Sequence, residues 1–271
     1  MATSDFINET TIRPPAVAGL FYPANPAQLH EDVQAYLHAS NAPDAEPVPK
    51  AIIVPHAGYV YSGPVAASAY VRLLPARDRI RRVLLLGPSH RVPFHGLATS
   101  SAEAFVTPLG QIPLDQHAIA NLGDLPQVQL FDAAHAEEHS LEVHLPFLQE
   151  TISNFQLVPL VVGDAHPTEV AEVLERLWGD AETLIVISSD LSHYHDYATA
   201  QRLDRDTSAA IEHLQAEAVH SENACGCVPV SGLLYLARER GLRARTIDLR
   251  NSGDTAGPRD RVVGYGAYVF H

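Results

Sequence analysis

The sequence predicts an α/β fold, a single-domain αβα sandwich around a mostly parallel or mixed sheet. Short, near-continuous apolar runs of strand length recur at Ala51–Pro55, Val83–Leu86, Phe155–Val162 and Thr183–Ile187. Between them lie stretches with apolar residues at helical spacing, so strands and helices alternate. Strands that are apolar throughout need cover on both faces, which places helices above and below the sheet. With 46% hydrophobic residues in 271, the chain can build one continuous core, and no repeat, linker or low-complexity tract divides it. One domain over residues 1–271 is expected, with residues 1–12 as a flexible tail.

The elements follow in order. From Arg13 to Pro23 the chain is extended and punctuated by proline, and Pro26 then suits the first turn of a helix running through Leu37. Residues 41–49 form a polar connector. Ala51–Pro55 is a buried strand, and Gly63–Leu74 is a helix with Ala66, Ala67, Tyr70, Val71 and Leu74 at helical spacing. Val83–Leu86 closes a β-loop-α-β unit whose two loops carry His56 and His90. Residues 92–114 are less regular, with a turn at Thr107-Pro108-Leu109-Gly110 and an extended piece from Gln111 to Leu114. The strand Phe155–Val162 is followed by a helix, Pro167–Trp178, with Val170, Val173, Leu174 and Leu177 on one face. Another buried strand, Thr183–Ile187, leads into Ser188-Ser189-Asp190. Helical patterns then cover Ala198 to about Ala216 and Pro229 to about Arg240, and strand-like segments Arg243–Leu249 and Val262–Phe270 end the chain.

The formal charge of −14 argues against a nucleic-acid or anionic-membrane partner, since affinity for phosphate needs clustered Lys and Arg. Met1–Pro15 carries Asp5 and Glu9 without a basic and apolar leader, and no apolar run approaches the roughly 20 residues that span a bilayer. A cytoplasmic protein is expected. The cysteines Cys225 and Cys227, one residue apart, would make a strained disulfide and are expected to be thiols.

Four metal-capable side chains end separate segments: Pro55-His56, Gly87-Pro88-Ser89-His90, Ser188-Ser189-Asp190-Leu191-Ser192-His193 and Ala224-Cys225-Gly226-Cys227. In an open α/β sheet the carboxyl ends of the strands share one crevice, so residues distant in sequence can meet there. His56 and His90 suit Fe, Cu, Ni or Zn alike. Cys225 precedes a helix whose amino terminus favours thiolate, the form that binds metal. Asp190 is suited to orient an imidazole, and His193 to exchange a proton near neutrality. Each has a blander reading: a structural histidine, an inert buried thiol, or a Ser-Ser-Asp cap. In Glu138-His139-Ser140-Leu141-Glu142-Val143-His144-Leu145-Pro146, a helix would place His139 and Glu142 on one face, while Pro146 marks a helix start or kink. His139, Glu142 and Ser89 are candidates for substrate contact or for support of the ligands. There is no phosphate loop, Gly-x-Ser-x-Gly elbow or His-Glu-x-x-His helix.

These five motifs, in this order from about Arg13 to the carboxyl terminus, closely resemble the Memo family, known in bacteria and archaea as AmmeMemoRadiSam system protein B. The resemblance implies a fold like that of class III extradiol dioxygenases, in which two histidines and a carboxylate hold non-haem Fe(II). By that resemblance His56 and His90 match the histidine ligands, Cys225 stands in the carboxylate's place, His193 matches the acid/base histidine and Asp190 supports the ligands. Cysteine departs from the dioxygenase pattern and weighs against ring cleavage. A thiolate is softer than a carboxylate, shifts preference toward Cu(I), Zn or redox-tuned Fe, and is itself oxidisable.

Three functions follow as expectations. The first is a redox metalloprotein using Fe(II), or Cu, with O₂ or a small organic molecule. The second is a peptide- or protein-binding module on a former dioxygenase fold, working with the radical-SAM and AMMECR-type partners implied by the resemblance. The third is a hydrolase with a Zn-bound water.

Overall fold

The computed structural model describes residues 11–41 and 46–271. The tail expected at 1–12 therefore lies outside the described residues up to position 10, as does part of the 41–49 connector. Ile12 is not tail: β1 (Ile12–Arg13) pairs in parallel with β5 (Ala104–Thr107), which pairs in antiparallel with β6 (Gly110–Pro113) to make a small three-stranded sheet.

The large sheet is mixed. Its centre is the parallel set β2 (Ala51–Val54), β9 (Thr183–Ser188), β3 (Arg82–Pro88) and β8 (Gln156–Val162), in that spatial order. Beyond β8 lie β4 (Leu97–Thr99), antiparallel to it, and β7 (Val128–Leu130). Beyond β2 lies β12 (Val262–Phe270), antiparallel, which also carries β10 (His193–His195) and β11 (Ala244–Asn251). The side chains of β2, β3, β8 and β9 are almost wholly buried, as their unbroken apolar sequences require of strands covered on both faces.

Helices α1 (Pro26–Ala39), α2 (Tyr59–Tyr70) and α5 (Leu145–Thr151) pack together as one layer. Helices α6 (Pro167–Arg176) and α8 (Cys227–Glu239) form another, with α7 (Tyr197–Glu212) against β11 and β12. Short helices α3 (Gln116–Ala120), α4 (Ala133–Ala136) and α9 (Ser252–Thr255) lie in connections. The helix expected over 63–74 starts earlier, at Tyr59, and tightens into a 3₁₀ turn over Val71–Ala76, where Pro75 interrupts regular bonding. Asn25 caps α1 by accepting from the Gln28 amide at 3.1 Å, with Pro26 in the first turn, where its missing N–H costs nothing.

Two packing details aim the site. Because β9 lies between β2 and β3 and runs parallel to both, the segments leaving their carboxyl ends emerge side by side, carrying His56, Asp190 and His90. The amino terminus of α8 then presses onto the end of β9 at Gly226. A Cβ there would lie 2.5 Å from the Ser188 carbonyl oxygen and 2.7 Å from Ser189 Cβ, so only glycine lets Cys225 approach.

Candidate metal centre

The residues that leave β2, β9 and β3 meet at one cleft of about 610 Å³, whose walls include Phe21, His56, His90, His139, Asp190, His193, Tyr194 and Cys225. His56 is buried at its floor, with Nε2 3.4 Å from Cys225 Sγ. Ligand atoms of His56, His90 and His139 all lie within 4.8 Å of one another. Two atoms about 2.0 and 2.3 Å from a tetrahedral ion sit roughly 3.5 Å apart, so the His56–Cys225 spacing suits shared coordination.

The outer sides of two of the imidazoles are occupied. His90 Nδ1 lies 2.9 Å from Glu138 Oε1, and His56 Nδ1 lies 2.6 Å from Ser188 Oγ. That is the arrangement expected of metal ligands, where a carboxylate or hydroxyl holds one ring nitrogen and leaves the other to point inward. His139 Nδ1 is buried without a hydrogen bond, 3.4 Å from Glu138 Oε1. This donor set of softer nitrogens and a thiol fits a transition metal, and fits Ca²⁺ or Mg²⁺ poorly.

Asp190 and Cys225 are interlocked. The Asp190 amide points at Cys225 Sγ at 3.3 Å, and the Cys225 amide donates to the Asp190 carbonyl at 3.2 Å. Asp190 Oδ1 accepts from the His56 amide at 2.8 Å, so this carboxylate fixes the backbone that presents His56. Burial pushes the Asp190 carboxyl up to about 6, against the lowering effect of the His56 amide and the neighbouring His193 and His90.

The expected thiolate at Cys225 is overturned. Burial first, and the adjacent Asp190 charge second, push its thiol well above the ordinary range, and both outweigh the helix terminus behind it. That direction favours the thiol over the thiolate. Burial likewise holds His56 well below the usual imidazole range, reinforced by His90 and His139, and lowers His139 to about 4 despite the Glu138 charge. Glu138 goes the other way. Burial would raise it, but the His90 ring, the His90 amide and the Ser140 amide together hold its carboxyl at about 2.

His193, the first residue of β10, lines the cleft where the segment before it is pinned. Its Nδ1 lies 2.8 Å from the Leu191 carbonyl oxygen, while Leu191 and Ser192 are tied to Gly264 of β12 by backbone hydrogen bonds of 2.8 Å each. Beneath, buried Asp204 of α7 accepts from the Ser192 amide at 3.0 Å, and burial raises its carboxyl to about 6.

Of the remaining candidates, His139 joins the cleft while Glu142 and Ser89 turn elsewhere. His139 and Glu142 do not share a helical face: the chain is irregular at His139, turns through a 3₁₀ segment over Glu142–His144, and only then begins α5 with Pro146 in its first turn. Glu142 faces the amino-terminal segment, where it binds the Arg13 guanidinium and accepts from the Ala16 amide, the Val17 amide and Tyr22 Oη at 2.7, 3.0 and 2.5 Å. Ser89 Oγ donates to the Val92 carbonyl at 2.7 Å and borders a second hollow of about 580 Å³, which meets the cleft at His90 and Cys225. Cys227 opens α8 as a half-buried free thiol. Neither Glu138, quoted only within its motif, nor Ser188, whose one suggested role is the blander cap, stands among the sequence-predicted site residues. The signal for Glu138 was its place directly before His139, in a motif already singled out.

Comparison with known proteins agrees with this architecture. The family model described as "Memo-like protein" matches residues 13–269. The chain belongs to the Memo family. It is 36% identical to a MEMO1 family protein of Aquifex aeolicus, over 96% of this chain and 99% of the relative. A MEMO1 family protein of Ignicoccus hospitalis is 35% identical over 96% and 98%, and one of Saccharolobus solfataricus 33% identical over 95% and 99%. Among solved structures, an uncharacterised protein of Escherichia coli K12 shares the fold at a TM-score of 0.50 and 14% identity, covering 82% of this chain and 100% of that one. No helix among the described residues is long and apolar enough to cross a membrane.

Proposed function

We propose that this Memo-family chain is a redox metalloprotein of the cytosol that holds Fe(II), with copper or zinc as competitors, on His56, His90 and Cys225. The observation that carries this reading is the 3.4 Å approach of Cys225 Sγ to His56 Nε2 beside two further histidines that share the same pocket. His139 is close enough to serve as a fourth donor or to replace the thiolate. When bound, such an ion supplies electron transfer and polarises an oxygen-bearing ligand.

The chain's own residues do the rest. Glu138 and Ser188 hold the rings of His90 and His56, and Asp190 holds the His56 backbone. His193 faces the cleft where it can give or take a proton from a bound small organic molecule. To hold an ion, Cys225 would have to give up its proton, so uptake would weaken as pH falls. Ring cleavage of the dioxygenase kind is not part of the proposal, because the hard carboxylate ligand is replaced by sulfur.

Metal content of anaerobically purified wild-type protein, compared with Cys225→Ser, His56→Ala and His139→Ala, tests it. Loss of bound iron in the first two is expected. Unchanged content in both would overturn the reading, and loss in His139→Ala alone with His56→Ala would assign a three-histidine site instead.

A second reading draws on the cleft mouth. Tyr194 lines it, Leu20 adjoins the lining Phe21, and Val60 and Tyr61 follow the lining Gly58; all four side chains are exposed. An apolar rim of this kind favours a peptide or protein ligand, with radical-SAM and AMMECR-type proteins as candidate partners by resemblance. A pull-down with such a partner that survives a chelator and His193→Ala supports this reading over the first. Loss under either treatment counts against it.

A further inference from the structure

Ser188 Oγ, wholly buried at the end of β9, has three polar neighbours: His56 Nδ1 at 2.6 Å, His144 Nε2 at 2.9 Å and the Ser140 carbonyl oxygen at 2.6 Å. A hydroxyl carries one hydrogen and two lone pairs. The carbonyl has no hydrogen to give, so it takes the one that Ser188 offers. Both lone pairs of Ser188 then accept, one from each ring. Full burial of both rings disfavours charged imidazoles, so each ring has a single hydrogen to place. His56 therefore carries it on Nδ1 and His144 on Nε2.

We propose that Ser188 is a positioning residue that fixes the tautomer of His56, with His144 filling its second lone pair, so that the bare Nε2 of His56 faces Cys225 before any ion binds. The opposite tautomer would aim an N–H into the site and repel a cation. It would also force Ser188 to turn its hydrogen toward His56, stripping the buried Ser140 carbonyl of its donor, which biases the equilibrium at least roughly tenfold toward the Nδ1–H form.

The same short segment serves both histidines. Glu138 accepts from the Ser140 amide at 2.9 Å and from the His90 amide, and faces the His90 ring, while the next carbonyl on, that of Ser140, sets Ser188 and through it His56. Residues 138–140 thus orient the ring nitrogens of His56 and His90 and supply His139 between them.

The purpose of this device rests on the metal-centre reading, but its test does not. Long-range ¹H–¹⁵N correlation spectra of metal-free protein labelled at histidine distinguish Nδ1–H from Nε2–H directly. The Nδ1–H form is expected for His56 in the wild type, a mixture of forms in Ser188→Ala, and recovery of the wild-type pattern in Ser188→Thr, which keeps the hydroxyl. An Nε2–H form in the wild type, or an unaltered pattern in Ser188→Ala, would overturn the proposal. In anaerobic Fe(II) titration, Ser188→Ala is expected to bind roughly ten- to a hundredfold more weakly. Wild-type protein that takes up no Fe(II) yet holds His56 as Nδ1–H would sink the metal reading and support the tautomer assignment.

Discussion

His139 and Glu142 stand three residues apart in one segment and end in opposite kinds of polar surroundings. Around Glu142 every bonding position is used: the Arg13 guanidinium, two backbone amides and Tyr22 Oη converge on one carboxylate, and Arg13 also donates to the carbonyls of His135 and Glu138 at 3.0 and 2.7 Å. Around His139 capacity is left over, because three imidazoles bring ligand atoms within 4.8 Å of one another, with Cys225 Sγ 3.4 Å from His56 Nε2, and His139 Nδ1 has no partner. Both side chains are largely withdrawn from solvent. What separates a clamp from a site is unspent bonding capacity on groups already held in position from behind.

The largest effect should come from breaking the clamp. Arg13→Met leaves the Glu142 carboxylate buried without its cation, which should cost about 3–5 kcal/mol in urea unfolding while metal uptake by the folded fraction persists. A cost below about 1 kcal/mol would mean that the clamp is not structural in the sense argued. Next, Glu138→Ala removes the carboxylate behind His90 and should weaken anaerobic Fe(II) binding by roughly ten- to a hundredfold in calorimetric titration. Equal affinity would erase the distinction drawn here, since ligands would then need no support.

A smaller effect belongs to Asp204 below the segment before His193. Its carboxyl is raised by burial to about 6, so between the ordinary carboxylate range and that value the folded protein holds a proton that the unfolded chain has released. This group's contribution to stability therefore falls as pH rises from about 4 to about 6, by at most roughly 1.4 kcal/mol per pH unit. Asp204→Asn should remove that component, and urea midpoints followed across this window should show a flatter fall than in wild type. An identical pH profile in the variant would remove Asp204 from the account. Smallest of all, Asp124→Asn breaks an exposed pair with Arg176 and should leave the urea midpoint unchanged, in contrast to the buried clamp.

Much of this was legible in the sequence because strands buried on both faces announce themselves as apolar runs, and a His, Asp or Cys just past such a run points to the shared edge. His56, His90, Asp190 and His193 line the cleft on that logic, and Cys225 joins them from the amino terminus of α8. The roles of Ser188 and Glu138 were not legible, since which way their polar atoms turn depends on a loop between β7 and α5 that has no periodicity to read. A shared face for His139 and Glu142 needs a helix through both, and the chain instead takes an irregular course before Pro146. The thiol state of Cys225 was misread because the helix behind it is visible in sequence, whereas the burial and the Asp190 charge that outweigh it come only with folding.

The wall of the cleft at Phe21 belongs to a segment anchored far along the chain, since Tyr22 meets Glu142 across 120 positions. A ribosome must deliver all of that intervening polypeptide before Tyr22 can reach Glu142, although Phe21 meets the Tyr59 amide and β1 meets β5 sooner. The buried ends of that clamp thus close late, and a wall of the pocket waits on polypeptide made long after it.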